Sequence, residues 1–120
     1  MTKLRILFTA VLAVSLVAGL SACAPAKLDV SDVAAIIDIR SPEDFAASHI
    51  TGATNIDYNS GGFFAYASVL KKTEKYYVYG KTSEQATEGT QSIRALGISN
   101  VTNLGSFEDA QGVLPLGVTK

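Results

Sequence analysis

Short runs of β-branched and aromatic residues alternate along this chain with residues that begin and end helices, and this alternation constrains the fold most strongly. Four runs predict strands, at residues 36–39, 54–56, 76–79 and 100–104. Helices are predicted at residues 41–48, 63–70 and 83–96, with a last short one beginning at Ser106. Strands that alternate with helices across short loops predict an α/β fold with a parallel sheet.

The segment after Tyr79 is the strongest candidate for function on position alone. Residues 76–79 form the most strand-like run, and ligands of parallel α/β sheets bind at the carboxyl ends of the strands. Thr82 and Gln85 have the spacing of a capping box, which predicts a helix beginning at Ser83. Gly97 follows the predicted helix and suits a C-terminal cap.

The N-terminal segment has the pattern of an export signal. Lys3 and Arg5 precede an uncharged apolar run at residues 6–20, which is shorter than the roughly 20 residues of a membrane-spanning helix. The run ends at residues 20–23 in Leu-Ser-Ala-Cys, which resembles the lipobox of bacterial lipoproteins. We therefore expect a signal peptide at residues 1–22, a lipidated Cys23 and a tether at 23–27, followed by one domain at 28–120. A plain secretory signal cut near Ala22, or an uncleaved anchor, stays as an alternative.

The lipobox predicts a location for the protein, and the counts of Cys, His and charged residues exclude several kinds of site. A lipidated Cys23 places the protein in the bacterial cell envelope, anchored to the outer face of a membrane through its N-terminal lipid. The single Cys excludes a disulfide framework, and the single His argues against a metal site. Removing residues 1–22 leaves eight basic and eleven acidic residues, a charge that gives no footprint for nucleic acid. We expect no metal and no cofactor.

Several spaced motifs resemble the signature of rhodanese-like domains. The first signature comprises residues 37–40, then Glu43 and Phe45, then residues 49–53 and 55–56. Residues 78–79, 96–101 and 104–105 resemble the second half. The resemblance implies a three-layer fold with a central, mostly parallel sheet and helices on both faces. It also implies structural roles for the signature residues: Asp38 and Arg40 tie the first strand to neighbouring loops, and His49 fixes the turn before Gly52 through a hydrogen bond.

The same resemblance places Gly80 at the position of the catalytic nucleophile. Active rhodaneses carry Cys directly after the central strand, in a loop that runs Cys-Arg-Ser-Gly-x-Arg-Ser, with the helix-ending Gly seventeen residues further on. Counting back seventeen residues from Gly97 reaches Gly80. Three more positions depart from the loop pattern, and the complete vestigial active-site loop is Gly80, Lys81, Thr82, Ser83, Glu84, Gln85 and Ala86. Sulfur transfer needs a thiolate, so no catalytic residue is assigned.

These observations favour a membrane-anchored rhodanese-like protein that acts as a binding module, with a protein partner or a small anion as ligand. The alternative is a sulfurtransferase-related enzyme, or a sulfur-anion-binding protein, that uses residues 80–86. In that case Lys81 attracts the anion, whereas the simpler interpretation is a solvated lysine. A degraded paralogue without selected activity is a third possibility. The sequence predicts neither the partner nor the oligomeric state.

Overall fold

A computed structural model describes residues 26–120 of the chain, and within them strands and helices alternate in the predicted order. The signal peptide, Cys23 and most of the tether lie outside the described residues. The elements are β1 (Val33–Asp38), α1 (Pro42–Ala47), β2 (His49–Ile50), β3 (Thr54–Asn55), α2 (Gly62–Ser68), β4 (Lys75–Gly80), α3 (Ser83–Ala95), β5 (Val101–Ser106), α4 (Phe107–Val113) and β6 (Val118–Thr119).

Four of the strands form one parallel sheet in the order β3-β1-β4-β5. The strand at residues 76–79 is therefore interior, with β1 and β5 as its neighbours. Within the described part of the chain, β2 and β6 form a separate antiparallel pair. Neither was predicted, because the pairing joins two residues near the middle of the chain to two near its end, and no run of strand-forming residues marks either.

Alternate side chains of β4 face opposite sides of the sheet, as the two-residue period of a strand requires. Tyr76 and Val78 belong to one buried cluster, which includes residues of α2 and α3. Tyr77 and Tyr79 belong to a second cluster, which includes Ala110 of α4. The predicted α/β class, with a central mostly parallel sheet and helices on both faces, is confirmed.

The predicted helix boundaries agree closely with the structure, whereas three strands are longer than predicted, with β4 gaining one residue at each end. α3 ends at Ala95 and Gly97 has a φ of +94°, the left-handed conformation of a C-terminal cap. β1 begins at Val33 rather than residue 36. β5 continues to Ser106, past Gly105, whose N–H donates to Asn103 Oδ1 over 2.8 Å. This local bond stabilises a turn-like φ of +82° at Gly105 within the strand.

The beginning of the described chain is fastened to the side of the sheet that α4 covers. The Leu28 N–H donates to the Val113 carbonyl over 2.8 Å, and the Tyr77 hydroxyl donates to the Asp29 carbonyl over 2.7 Å. No helix within residues 26–120 combines the length and the apolar content that a bilayer crossing requires.

Candidate functional site

A cleft of about 320 Å³ lies at the carboxyl edge of the parallel sheet. Its walls come from the segments that directly follow β1, β4 and β5: Arg40, Asp44, Lys81, Ser106, Phe107 and Glu108. Sequence reasoning had selected the segment after β4, and it missed Asp44 and the residues at the start of α4. These residues could have been predicted from the topology, because the carboxyl ends of all parallel strands lie at the same edge of the sheet.

Asp38 and Arg40 form a buried ion pair at the back of the cleft. The Asp38 side chain has no solvent exposure and that of Arg40 has 7%. Arg40 Nε donates to both carboxylate oxygens over 3.1 Å, and Nη2 donates to Oδ2 over 2.8 Å. The Arg40 backbone N–H also donates to Oδ1, over 2.9 Å. Hydrogen bonds to both ionised groups offset the desolvation of the pair.

Arg40 connects this pair to three other parts of the fold. Its Nη2 donates to the Ser48 carbonyl over 2.6 Å, and its guanidinium lies 4.2 Å from the centre of the Phe107 ring and 5.6 Å from that of Tyr79. Burial acts to lower the pKa of Arg40, but the hydrogen bonds and charge of Asp38 outweigh it, so the pKa is raised. Arg40 therefore stays charged, and its donors serve the fold.

Tyr79 is a second buried polar group at this edge. Burial raises the pKa of its phenol well above the ordinary range, and the nearby charge of Asp38 acts in the same direction. The hydroxyl oxygen accepts a hydrogen bond from the Ile50 N–H over 3.1 Å. The phenol thus fastens the β2 segment to the central strand as a neutral group.

Residues 80–86 connect β4 to α3, and only Lys81 and Thr82 lie outside both elements. Gly80 is the buried last residue of β4, and Ser83–Ala86 already belong to the first turn of α3. Thr82 is the N-cap, and its Oγ1 accepts from the Gln85 N–H over 3.1 Å. The predicted capping box is thus half correct, because the Gln85 side chain bonds to Lys81 rather than returning to Thr82.

The side-chain amide of Gln85 fills the space beside Gly80. Its Oε1 accepts from the Lys81 N–H over 2.8 Å. A Cβ atom placed on Gly80 would lie 2.8 Å from this oxygen and 3.1 Å from the Ala86 nitrogen. The turn therefore holds an internal acceptor at the place where a side chain on residue 80 would enter.

The charges around the turn are mixed. The Lys81 side chain is 71% exposed, and its Nζ lies 3.7 Å from Asp44 Oδ2. Glu84 is exposed in the first turn of α3, and Glu108 lines the other side of the cleft. The cleft lining therefore holds two carboxylates, Asp44 and Glu108, beside Arg40, which is paired with Asp38, and Lys81, which lies near Asp44.

His49 and Gly52 lie away from the cleft lining. His49 Nδ1 is 2.9 Å from the Phe45 carbonyl, and its ring stacks on Phe45 with centroids 3.7 Å apart. The hydrogen bond expected of His49 is present, and both contacts join His49 to α1, ahead of the turn that leads to Gly52. Gly52 itself has a φ of +88°, which the turn after β2 requires.

The hydroxyl groups at the cleft are already used as helix caps. Ser106 Oγ accepts from the Asp109 N–H over 3.2 Å, and Thr82 Oγ1 caps α3 as described. Beside Ser106, the Asp109 carboxylate accepts from the Ser106 N–H over 3.0 Å and completes the capping box of α4. Among residues 26–120, no three His, Cys, Asp or Glu side chains come together in a geometry that would hold a metal ion.

Comparison with known proteins identifies relatives of this fold. The profile of the rhodanese-like domain family matches residues 23–111. Thiosulfate sulfurtransferase GlpE of Pseudomonas entomophila is 36% identical over 77 residues, which cover 62% of this chain and 68% of that protein. Thiosulfate sulfurtransferase PspE of Escherichia coli is 27% identical over 73 residues, covering 61% and 70%. The Rhodanese_3-like domain of the Alr3790 protein from Anabaena superposes with a TM-score of 0.62 at 25% identity, covering 72% of this chain and 98% of that chain.

Proposed function

The chain belongs to the rhodanese-like domain family, and from this premise we propose that it is a lipid-anchored binding module of the bacterial cell envelope without sulfurtransferase activity. Sulfur transfer in this family requires a cysteine directly after the central strand. The chain has Gly80 at the end of β4, and its single cysteine is Cys23. No described residue supplies a thiol near the cleft.

One observation carries the proposal, namely the Gln85 amide oxygen that occupies the turn. Backbone N–H groups of a strand-to-helix turn bind an anion or a persulfide when they point into an empty space. Here the Lys81 N–H already donates to Gln85 Oε1 over 2.8 Å. An incoming sulfur species would have to displace this side chain and would gain no cation at residue 85 in return.

The acidic side chains of the cleft support the same conclusion. Thiosulfate carries two negative charges, Asp44 and Glu108 line the cleft, and Glu84 is exposed in the first turn of α3. Like charges at short range oppose binding, and Asp44, 3.7 Å from Lys81 Nζ, weakens the attraction that this lysine offers an anion. The cleft suits a neutral or mixed-charge group of a partner better than a sulfur dianion.

The proposed anchor rests on the motif around Cys23. A mature chain that begins with a diacylated cysteine binds membranes stably, because two acyl chains suffice where one does not. Mass spectrometry of the N-terminal peptide of the envelope fraction tests this. We expect a peptide that begins at Cys23 and carries the mass of its acyl chains, and an unmodified Cys23 thiol contradicts the anchor.

The activity proposal is tested by a thiosulfate:cyanide sulfurtransferase assay on the full chain purified in detergent. We expect thiocyanate formation no faster than in buffer alone. Turnover above that level contradicts the proposal. This holds whether the turnover is lost or retained when Cys23 is replaced by serine.

Restoring the family's loop residues provides the positive control. In the triple variant G80C/Q85R/A86S, arginine replaces the amide that fills the turn, and a thiol stands at the carboxyl end of β4. We expect the thiol at residue 80 to take up one sulfane sulfur from thiosulfate, visible as a mass increase on its peptide. The matched control Q85R/A86S lacks the thiol and should show no increase on that peptide.

Anion binding at the same turn is the second candidate, and the exposed Lys81 at the start of α3 is the observation in its favour. Isothermal titration of the full chain with thiosulfate separates the two. Heat of binding that disappears in the K81M variant supports an anion site, whereas no heat for either protein supports the binding-module proposal.

A further inference from the structure

The two edges of the parallel sheet carry opposite charge. We define the amino-end face as residues 27–33, 69–75 and 94–101, which lead into the strands, and the carboxyl-end face as residues 38–44, 80–86 and 105–109, which follow them. The amino-end face has five cations against three acids: Lys27, Lys71, Lys72, Lys75 and Arg94 against Asp29, Asp32 and Glu74. The carboxyl-end face has six acids against two cations: Asp38, Glu43, Asp44, Glu84, Glu108 and Asp109 against Arg40 and Lys81.

This asymmetry follows from how the helices begin and end. Acids occupy the first turns of α1, α3 and α4, where they interact favourably with the positive end of each helix. All of these first turns follow strand ends and therefore lie on the carboxyl-end face. Five of the cations lie at the other edge, where Lys71 and Lys72 are exposed. The Lys71 side chain is 77% accessible, and its Nζ lies 3.6 Å from Glu74 Oε1.

An exposed apolar side chain accompanies the amino-end cations. Val69, which follows α2, is 77% exposed and lies two residues before Lys71 in the chain. Apolar groups beside lysines favour the interface of an anionic membrane, where the apolar group enters the headgroup region and the cations contact phosphate.

The chain enters the domain on the same side. Lys27 Nζ donates to the Gly112 carbonyl over 2.6 Å near the end of α4, and Asp32 lies 3.4 Å from Lys75 Nζ at the start of β4. Residues 24–27 span roughly 15 Å when extended. The length of β4 separates the two faces by roughly 16 Å. A lipid at Cys23 can therefore hold the amino-end face against the membrane, whereas the carboxyl-end face lies further from the point where the tether joins the domain.

We propose that the amino-end face rests on an anionic membrane surface and that the carboxyl-end cleft points away from it, toward the partner. This inference depends on the proposed attachment through Cys23. The charge of each face and the point where the tether joins the domain are separate observations, and both give this orientation.

The absence of tryptophan from the chain allows a direct test. Single-tryptophan variants V69W and S99W report on the amino-end face, and E84W, which also removes an acid, reports on the carboxyl-end face. Each full-length protein is attached to vesicles of phosphatidylethanolamine and phosphatidylglycerol that contain a lipid with a nitroxide headgroup. We expect strong quenching of V69W and S99W emission and little quenching of E84W. Quenching of E84W equal to or greater than that of S99W overturns the proposal.

Attachment is controlled separately, so that a failure of the anchor is distinguished from a failure of the orientation. Protein with native acyl chains is used directly. If Cys23 carries a free thiol, which contradicts the proposed anchor, it is coupled to a maleimide phospholipid in the vesicle. The same tether then holds the domain, and the quenching pattern still decides the orientation.

Charge reversal tests the electrostatic part of the proposal. Each lysine at an anionic surface contributes about a fivefold gain in binding, so K71E/K72E in the S99W background should lower the docking equilibrium constant by about 30-fold or more. K81E in the same background is the matched control on the opposite face and should leave S99W quenching unchanged. Equal effects of the two substitutions contradict a face-specific contact.

Discussion

Removal of the Arg40 guanidinium should destabilise the domain more than any other single loss of a charged group. The variant R40M keeps an unbranched side chain of similar length while it removes the charge and the donors. Asp38 has no solvent exposure, so R40M leaves a buried carboxylate without its partner. Breaking a buried pair from one side costs about 3–5 kcal/mol of unfolding free energy.

The contacts of Arg40 place this loss at the upper part of that range. R40M removes three side-chain hydrogen bonds to Asp38 and the donor to the Ser48 carbonyl. A domain of the size described here has a total stability of about 5–14 kcal/mol. At about 4–8 °C per kcal/mol, a loss of about 4–5 kcal/mol should lower the thermal midpoint by about 16 °C or more.

Thermal unfolding followed by circular dichroism measures this effect. R94M is the matched control, because Arg94 is exposed and makes one hydrogen bond, from Nη2 to the Val101 carbonyl over 2.7 Å. We expect R94M to cost about 1 kcal/mol or less. The double variant D38N/R40M should recover part of the R40M loss, since the buried charge is then absent. A loss in R40M no larger than in R94M refutes the reasoning.

Three further predictions test packing, pH dependence and the occupied turn. G89A should lower the thermal midpoint, because the new Cβ collides with buried Ile39 Cδ1 and overpacking costs about 1–3 kcal/mol, against roughly 1 kcal/mol that alanine gains in a helix. Burial raises the pKa of Tyr79, so the folded protein retains a proton that the unfolded chain loses above about pH 10. Stability should therefore fall as the pH rises past that point, and less steeply in Y79F. Q85A should accelerate amide exchange at Lys81 by about fivefold, because that N–H loses its acceptor.

Each of these predictions has an internal comparison. A Cβ on Gly112 would meet open space, so G112A should stabilise the protein and G89A should not. For the pH series, an unchanged slope in Y79F would show that another group titrates. For Q85A, the Asp109 amide is the reference, because its bond to Ser106 Oγ lies in another helix and its exchange rate should not change.

The helix caps were predictable because their chemistry is local. Ser41, Thr82 and Ser106 each accept from a backbone N–H three residues further on. Gly97 adopts its left-handed conformation for a reason equally close in the chain. Such short-range rules located four helix ends without knowledge of the sheet, and the order of elements then followed from the strand pattern.

The parts that sequence did not reveal depend on distant residues. His49 pairs with Thr119 in the antiparallel pair, and Arg40 stacks on Phe107. Neither contact has a periodic or motif signature. The Gln85 side chain accepts from the Lys81 N–H, and the absence of a side chain on Gly80 leaves the amide room to enter the turn.

The stability of the helices and the character of the cleft are linked at this edge of the sheet. Acids at helix N-termini stabilise α1, α3 and α4, and the same acids make the cleft unfavourable for an anion. A sulfurtransferase must offset them with cations or with open backbone donors. In this chain Arg40 is held by Asp38, Lys81 contacts Asp44, and the Lys81 N–H is occupied by Gln85. All three compensating groups are engaged within the protein. Replacing Gly80 by cysteine alone should therefore restore less sulfur uptake than the triple variant does. Equal uptake by both variants would show that the amide of Gln85 does not obstruct the turn.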